Sequence, residues 1–423
     1  MKTTKALTAL AMATTIIATT GACRKMEVDT EQMKEITLGE FPIDTVDSRH
    51  DWNLVQQMMV AVRTNVPGDE RINRVQILTA NPYQTDGAEI MAEKFAQTGD
   101  RVTLSFEMPV TETDFWVAAV NRDGKYYVQP SNNKDEFNFS GSGVISSGTL
   151  HQPVQQAFTY LFEENFPLPG DFDFNDLVLR IAKETPSANI LKLRVTLAAV
   201  GADKQIAAAI RLQGINYDDV ESVTIDEGTR FDETYPVNRY YIDNNIWTRG
   251  LDGSAVINLF DDAHWVLNPT EEEGRIVRWY CNTTKYEKED ASVIVPTQTR
   301  TYTIVAKDGK DIFSYVALSN IDPFIIEVYN SLNMEVHTYQ YKYTQTLWKF
   351  HSGQTADDDH VAWGLLVPVS NFRYPVESLP IGRNRDGEIF GAYSRYNHSF
   401  GQWGRNKDTS RDWWKYPTEA QVY

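Results

Sequence analysis

The sequence predicts a mainly β protein made of two sandwich-like domains, the first immunoglobulin-like and the second larger and jelly-roll-like. Three observations carry this reading. Apolar residues recur with period two or in short runs rich in β-branched and aromatic side chains. No long stretch has a helical period, and turn signals recur roughly every 8–15 residues, as in sandwiches. No solenoid or propeller repeat is present.

The chain opens on a segment that is not part of the fold. Residues 1–22 carry Lys2 and Lys5, a modest apolar run from Ala6 to Ala18, and small residues at the end, the layout of a secretory signal. The run is too short and too Thr-rich to span a bilayer. Thr20-Gly21-Ala22-Cys23 resembles a bacterial lipobox, with Thr20 where an aliphatic residue is usual. The resemblance implies that Cys23 becomes an acylated first residue, so the membrane is the partner at this end. Gly21 and Ala22 also suit ordinary signal cleavage, which would leave no lipid. Residues 23–45 are polar with mixed charge and read as a lipidated tether. Within them Asp44-Thr45-Val46 resembles the O-glycosylation sites of secreted Bacteroidota proteins, which marks Thr45 as an acceptor.

The first β domain is expected over 46–138. Arg74–Leu78, Arg101–Phe106 and Phe115–Val120 are its strands, and Asp123-Gly124 is a two-residue hairpin turn in which Gly supplies positive φ. The Ser/Gly-containing stretch 139–157 is expected as a linker or loop. The second domain, 158–423, has strand-like runs at 177–181, 191–200, 220–225, 255–260, 301–305, 324–329 and 361–367. Ala202–Arg211 suits either a short helix or a strand.

Charge narrows the function classes. There are 40 Lys+Arg against 58 Asp+Glu, a net of −18. Removal of 1–22 takes two lysines and no acid, which makes it −20. Nucleic acid and anionic membrane surfaces need clustered cations and are excluded as electrostatic partners. The two cysteines, Cys23 and Cys281, cannot form a disulfide scaffold. Cys281, after Arg278-Trp279-Tyr280, reads as a buried small hydrophobe.

The densest chemical signal is Pro169-Gly170-Asp171-Phe172-Asp173-Phe174-Asn175-Asp176. Alternation in an extended segment puts the acids on one side and the aromatics on the other. Close like charges repel, and a hard cation with oxygen ligands relieves that repulsion. The candidate Ca²⁺ ligands are therefore Asp171, Asp173, Asn175 and Asp176, with Glu163 or Glu164 nearest to complete the shell. The central Gly and position-12 Glu of an EF-hand are absent. Two other readings stay open: a turn whose carboxylates accept backbone N–H bonds, and catalysis by paired acids.

Phe162 with Pro169–Val178 resembles the signature of LruC-domain proteins, lipoproteins and surface proteins common in Bacteroidota and found in Leptospira. Ala362–Pro368, Phe372–Glu377 and Asp412-Trp413 resemble that family's C-terminal pattern, so the likeness runs over about 158–415. His50-Asp51-Trp52-Asn53 resembles the start of its leading β domain. The resemblance implies a lipid-anchored protein of the bacterial outer membrane or cell surface, with no established enzymatic activity. A non-catalytic binding, adhesion or structural module is expected, its partner an unidentified protein or glycan.

The remaining motifs are weaker. Asp357-Asp358-Asp359-His360 reads as a solvated loop or a second part of a cation site. The seven histidines contain no zinc pattern, and no nucleophile elbow or phosphate loop occurs. Tyr393, Tyr396, Phe400, Trp403, Trp413, Trp414 and Tyr416 either stack sugars, the alternative carbohydrate-binding reading, or cap a core. A glycosidase is the third reading and needs two carboxyls flanking a cleft.

Overall fold

The computed structural model describes residues 30–68, 70–166, 168–235, 241–242, 244–284, 292–314, 316–329, 332–338 and 361–423. The signal segment, Cys23 and the Asp357–His360 cluster lie outside them. The fold is mainly β, 43% strand and 9% helix, as the sequence pattern predicts.

The smaller domain packs two sheets face to face. One contains Arg101–Pro109, Val55–Arg63 and Glu136–Asn138; the other runs Tyr126–Pro130, Trp116–Asn121, Ile72–Leu78, Glu89–Phe95 and Val154–Gln155. Val62, Val75, Ile77, Leu104, Phe106, Val117 and Phe137 fill the space between them. The expected hairpin is present: Gly124 has φ +79°, and Asn121 Oδ1 accepts from Asp123 N and Lys125 N.

The Gly/Ser stretch is no free linker. Ile145 and Val128 exchange both backbone bonds at 2.8 and 2.9 Å, and Gly148 lies against Tyr83. This loop covers the outer face of the five-stranded sheet, burying Leu78, Ala118 and Val128 beneath it. The short strand Val154–Gln155 ends the domain, and the chain enters the next sheet at Ala157.

The larger domain is an antiparallel two-sheet sandwich. Six strands run Val220–Ile225, Gln298–Ala306, Ile190–Ala199, Leu177–Ser187, Ala157–Phe162 and Gly364–Val367; five run Trp247–Arg249, Ser254–Phe260, Ala207–Asn216, Ile321–Tyr329 and Leu332–His337. Leu191, Leu193, Val195 and Leu197 alternate inward from one strand, the period-two pattern that places them in the core. The Ala202–Arg211 ambiguity resolves as strand.

The N-terminal boundary differs from expectation. A helix over Thr30–Glu40 leads into Phe41 and Ile43, only 1% and 2% exposed, and both join the larger domain's core with His50 and Trp52. Residues 41–54, expected as tether and first-domain start, therefore belong to the second body. Apolar burial of Phe41, Ile43, Trp52 and Leu54 outweighs the polarity of the residues between them. Asn384 holds this segment by backbone pairing with Pro42 and Asp44. Thr45 is exposed.

Candidate functional site

The acidic loop connects strand Ala157–Phe162 to strand Leu177–Ser187, neighbours in one sheet. It is not extended. Phe172 and Phe174 both take φ +57°, the left-handed region, so the expected strand-like alternation of acids and aromatics is lost. The cause is Glu163, fully buried at the end of the preceding strand. Its carboxylate accepts from Phe172 N at 3.1 Å and Phe174 N at 2.6 Å, which curls the loop around it. Both rings still turn inward: Phe172 packs edge-on against Phe41, and Phe174 against Phe400.

Asp173 Oδ1 accepts from Asn175 N, while Oδ2 accepts from Asn175 Nδ2 and from Ser378 N, each 2.8 Å. Asn175 Nδ2 also donates to Pro375 O at 3.1 Å. Asp176 Oδ2 accepts from Glu164 N. The loop and the Tyr374-Pro375-Val376-Glu377 segment, about 200 residues apart in sequence, thus hold one another.

The turn reading is realised in these bonds, yet it does not use up the charge. One oxygen each from Glu163, Asp171 and Asp173 lies within 4.8 Å of the others. Oxygens sharing a Ca²⁺ at about 2.3–2.6 Å can be no more than roughly 5 Å apart, so all three fit one shell. Asp171 is the solvent-facing member. Of the expected ligands, the structure joins Asp171 and Asp173 with Glu163. Asn175, whose amide nitrogen is spent on Asp173 and Pro375, and Asp176 lie beside this group rather than in it.

Electrostatics point the same way. Burial pushes Glu163 well above the usual carboxylate range, helped by the charges of Asp176, Asp171 and Asp173. Asp173 and Asp176 are raised for the same reasons, with Glu377 contributing to both. Asp171, exposed as a residue but with a carboxylate oxygen turned into the group, is raised by desolvation there and by the charge of Asp203. Among the described residues no Lys or Arg pairs with Glu163, Asp171, Asp173 or Asp176, although Lys204 serves the nearby Glu327 at 3.2 Å. No local signal in the sequence marks Glu377 or Asp203 as neighbours of this loop. Only the Tyr-Pro-x-Glu motif pointed at Glu377, and its spacing said nothing of contact.

The C-terminal aromatics do not form a platform. Tyr393, Phe400, Trp403 and Trp413 are buried and pack on one another, capping the sandwich; Trp414 and Tyr416 are half-buried, and Tyr396 stands exposed. Ser399 caps the short helix Phe400–Arg405 by accepting from Gln402 N. Cys281 is fully buried, as expected. A separate cleft of about 660 Å³ opens between the domains, lined by Met91–Phe95, Thr103–Glu107 and Lys183, among others.

A sequence model of the family described as "Domain of unknown function (DUF4842)" matches residues 189–414, more than half of the chain. The match begins after the acidic loop and includes Glu377. It overlaps most of the region of LruC resemblance. No curated protein matches. Of solved structures, one described as a "Putative lipoprotein from Bacteroides ovatus" is 14% identical, with 75% of this chain and 91% of that chain covered and a TM-score of 0.45. An "anti-sigma factor domain-containing protein" is 7% identical, with 65% and 79% covered and a TM-score of 0.13. Neither likeness is close enough to carry an argument about fold or function.

Proposed function

This chain belongs to the DUF4842 family, and from that premise we propose that it is a non-catalytic cell-envelope lipoprotein. It is anchored through acylated Cys23 at the outer membrane or cell surface and acts as a binding, adhesion or structural module. Its acidic loop holds Ca²⁺. The convergence of Glu163, Asp171 and Asp173 without a cationic side chain carries the metal reading. Like charges held this close in a buried site need a counter-charge, and an all-oxygen donor set suits a hard divalent ion. The carboxylates meet at one point, unlike a glycosidase pair set across a cleft, which supports a structural role.

Among the described residues no helix is long and apolar enough to cross a membrane. A lipid at Cys23 supplies the attachment in this reading, and Cys23→Ser should move the protein from the membrane to the soluble fraction. Calcium is tested by melting the protein with Ca²⁺ and with a chelator. A ligand that binds only the native state at about 100 times its Kd stabilises by about 2.7 kcal/mol. The midpoint should rise with Ca²⁺, and Glu163→Gln should abolish the rise. Identical midpoints with no heat of binding would remove the metal from the proposal.

A further inference from the structure

On the far side of the acidic loop, Asn175 Oδ1 is fully buried and has no hydrogen-bond partner among the described residues. Its amide cannot turn over to offer hydrogens instead, because Nδ2 is fixed by two acceptors, Asp173 Oδ2 and Pro375 O. A second oxygen faces it. A Cβ built on Gly201 would lie 2.1 Å from Asn175 Oδ1, 2.7 Å from Glu377 Oε2 and 3.1 Å from the Asn175 carbonyl oxygen. Three acceptors from two remote segments therefore crowd one point. Gly201 N, donating to Asp176 O at 3.2 Å, pins the chain beside them. Asn175 Oδ1, fully buried with other oxygens turned toward it, needs a donor or a cation at that point.

We propose that a second hard divalent cation of the Ca²⁺ class is held by Asn175 and Glu377, next to the first ion. The inference rests on the cation reading of the acidic loop and extends it to two ions. It gives Asn175, which stands outside the first group, a use. It also makes Gly201 a position where any side chain would enter the ligand space.

The test is native mass spectrometry of the full chain with Ca²⁺ alone, counting ions per molecule, together with melting in Ca²⁺ and chelator. Wild type should carry two Ca²⁺. Glu377→Gln and Gly201→Ala should each carry one and keep a Ca²⁺-dependent rise in midpoint; near-UV circular dichroism checks that each is folded. One ion in wild type, unchanged in Glu377→Gln, would overturn the second position and leave the first standing. Loss of all Ca²⁺ in Glu377→Gln would make Glu377 a ligand of the first ion and also overturn it. No Ca²⁺ in wild type would overturn both readings. A protonated Glu377 donating to Asn175 Oδ1, visible as an acid carbonyl infrared band that Ca²⁺ leaves unchanged, would overturn it as well.

Discussion

Phe41 is the residue on which the assignment of the N-terminal segment turns, and Phe41→Ala tests it. The ring is 1% exposed and lies edge-on to Trp52 at 6.0 Å and to Phe172 at 5.1 Å. Truncating a core Phe costs about 3–5 kcal/mol, and each aromatic pair is worth about 0.5–1.5 kcal/mol beyond area. The site lies directly after a helix near the start of the fold, where the chain can partly collapse into the gap, so the lower end applies: about 3 kcal/mol. For a domain of this size that is a fall of roughly 6–12 °C in Tm. Urea unfolding followed by tryptophan fluorescence measures it, with Leu38→Ala, at an exposed position, as the control expected within about 0.5 kcal/mol. Because Phe172 belongs to the acidic loop, the proposed Ca²⁺ binding should weaken too. If Phe41→Ala matched the Leu38→Ala control, residues 41–45 would be a tether after all, and the docking of this segment would be refuted.

Other consequences can be checked separately. His337 is buried against Asp322 at 2.9 Å and Glu335 at 3.2 Å; burial lowers its pKa, but the two carboxylates outweigh this and bring it to about 9. A folded-state pKa raised above the unfolded value contributes stability below about pH 6.5 that is lost as pH rises through about 9. The wild type should therefore lose about 3 kcal/mol over that window and His337→Asn should not. Gly404→Ala would drive a Cβ to 2.2 Å from Ile43 Cδ1 and 3.2 Å from Trp52 Cη2, and should cost about 1–3 kcal/mol by denaturant unfolding. Burial pushes the Cys281 thiol up to about 12. In a Cys23→Ser background a maleimide should label nothing in the native protein and one site in denaturant.

What the sequence made legible was local. The runs read as strands are strands (361–367 only from Gly364), because period-two burial and turn chemistry are written in neighbouring residues; Leu191 to Leu197 and Asp123-Gly124 are examples. What it hid depends on distant partners. Phe41, Ile43 and Trp52 are isolated apolar residues in polar surroundings, and nothing local says that Phe400 and Trp403 will receive Trp52, or Phe172 the Phe41 ring. The Asp/Phe alternation mimics a strand, but Glu163, eight residues before Asp171, captures two amides and imposes left-handed φ on both phenylalanines. Aromatic content likewise cannot separate a sugar platform from a packed cap; burial of Trp403 and Trp413 does.

The acidic loop is joined to two remote parts of the chain, and that gives its charge a mechanical meaning. Phe172 contacts the N-terminal segment through Phe41, and its carbonyl accepts from Ile381 N. Asp173 and Asn175 bind the backbone at Ser378 and Pro375. Each of these contacts depends on the loop keeping its curled form, and that form forces Glu163, Asp171 and Asp173 together. The attractive bonds and the repulsion have one geometric cause, the curled form of the loop. In the proposed Ca²⁺-bound form, a cation at the centre would strengthen these joints together. With Cys23 acylated as proposed, it would couple the loop to the segment that leads toward that anchor. Chelation should thus loosen residues 41–54 in hydrogen exchange as well as 163–178, whereas loosening of 163–178 alone would mean that the joint to the N-terminal segment stands without the ion.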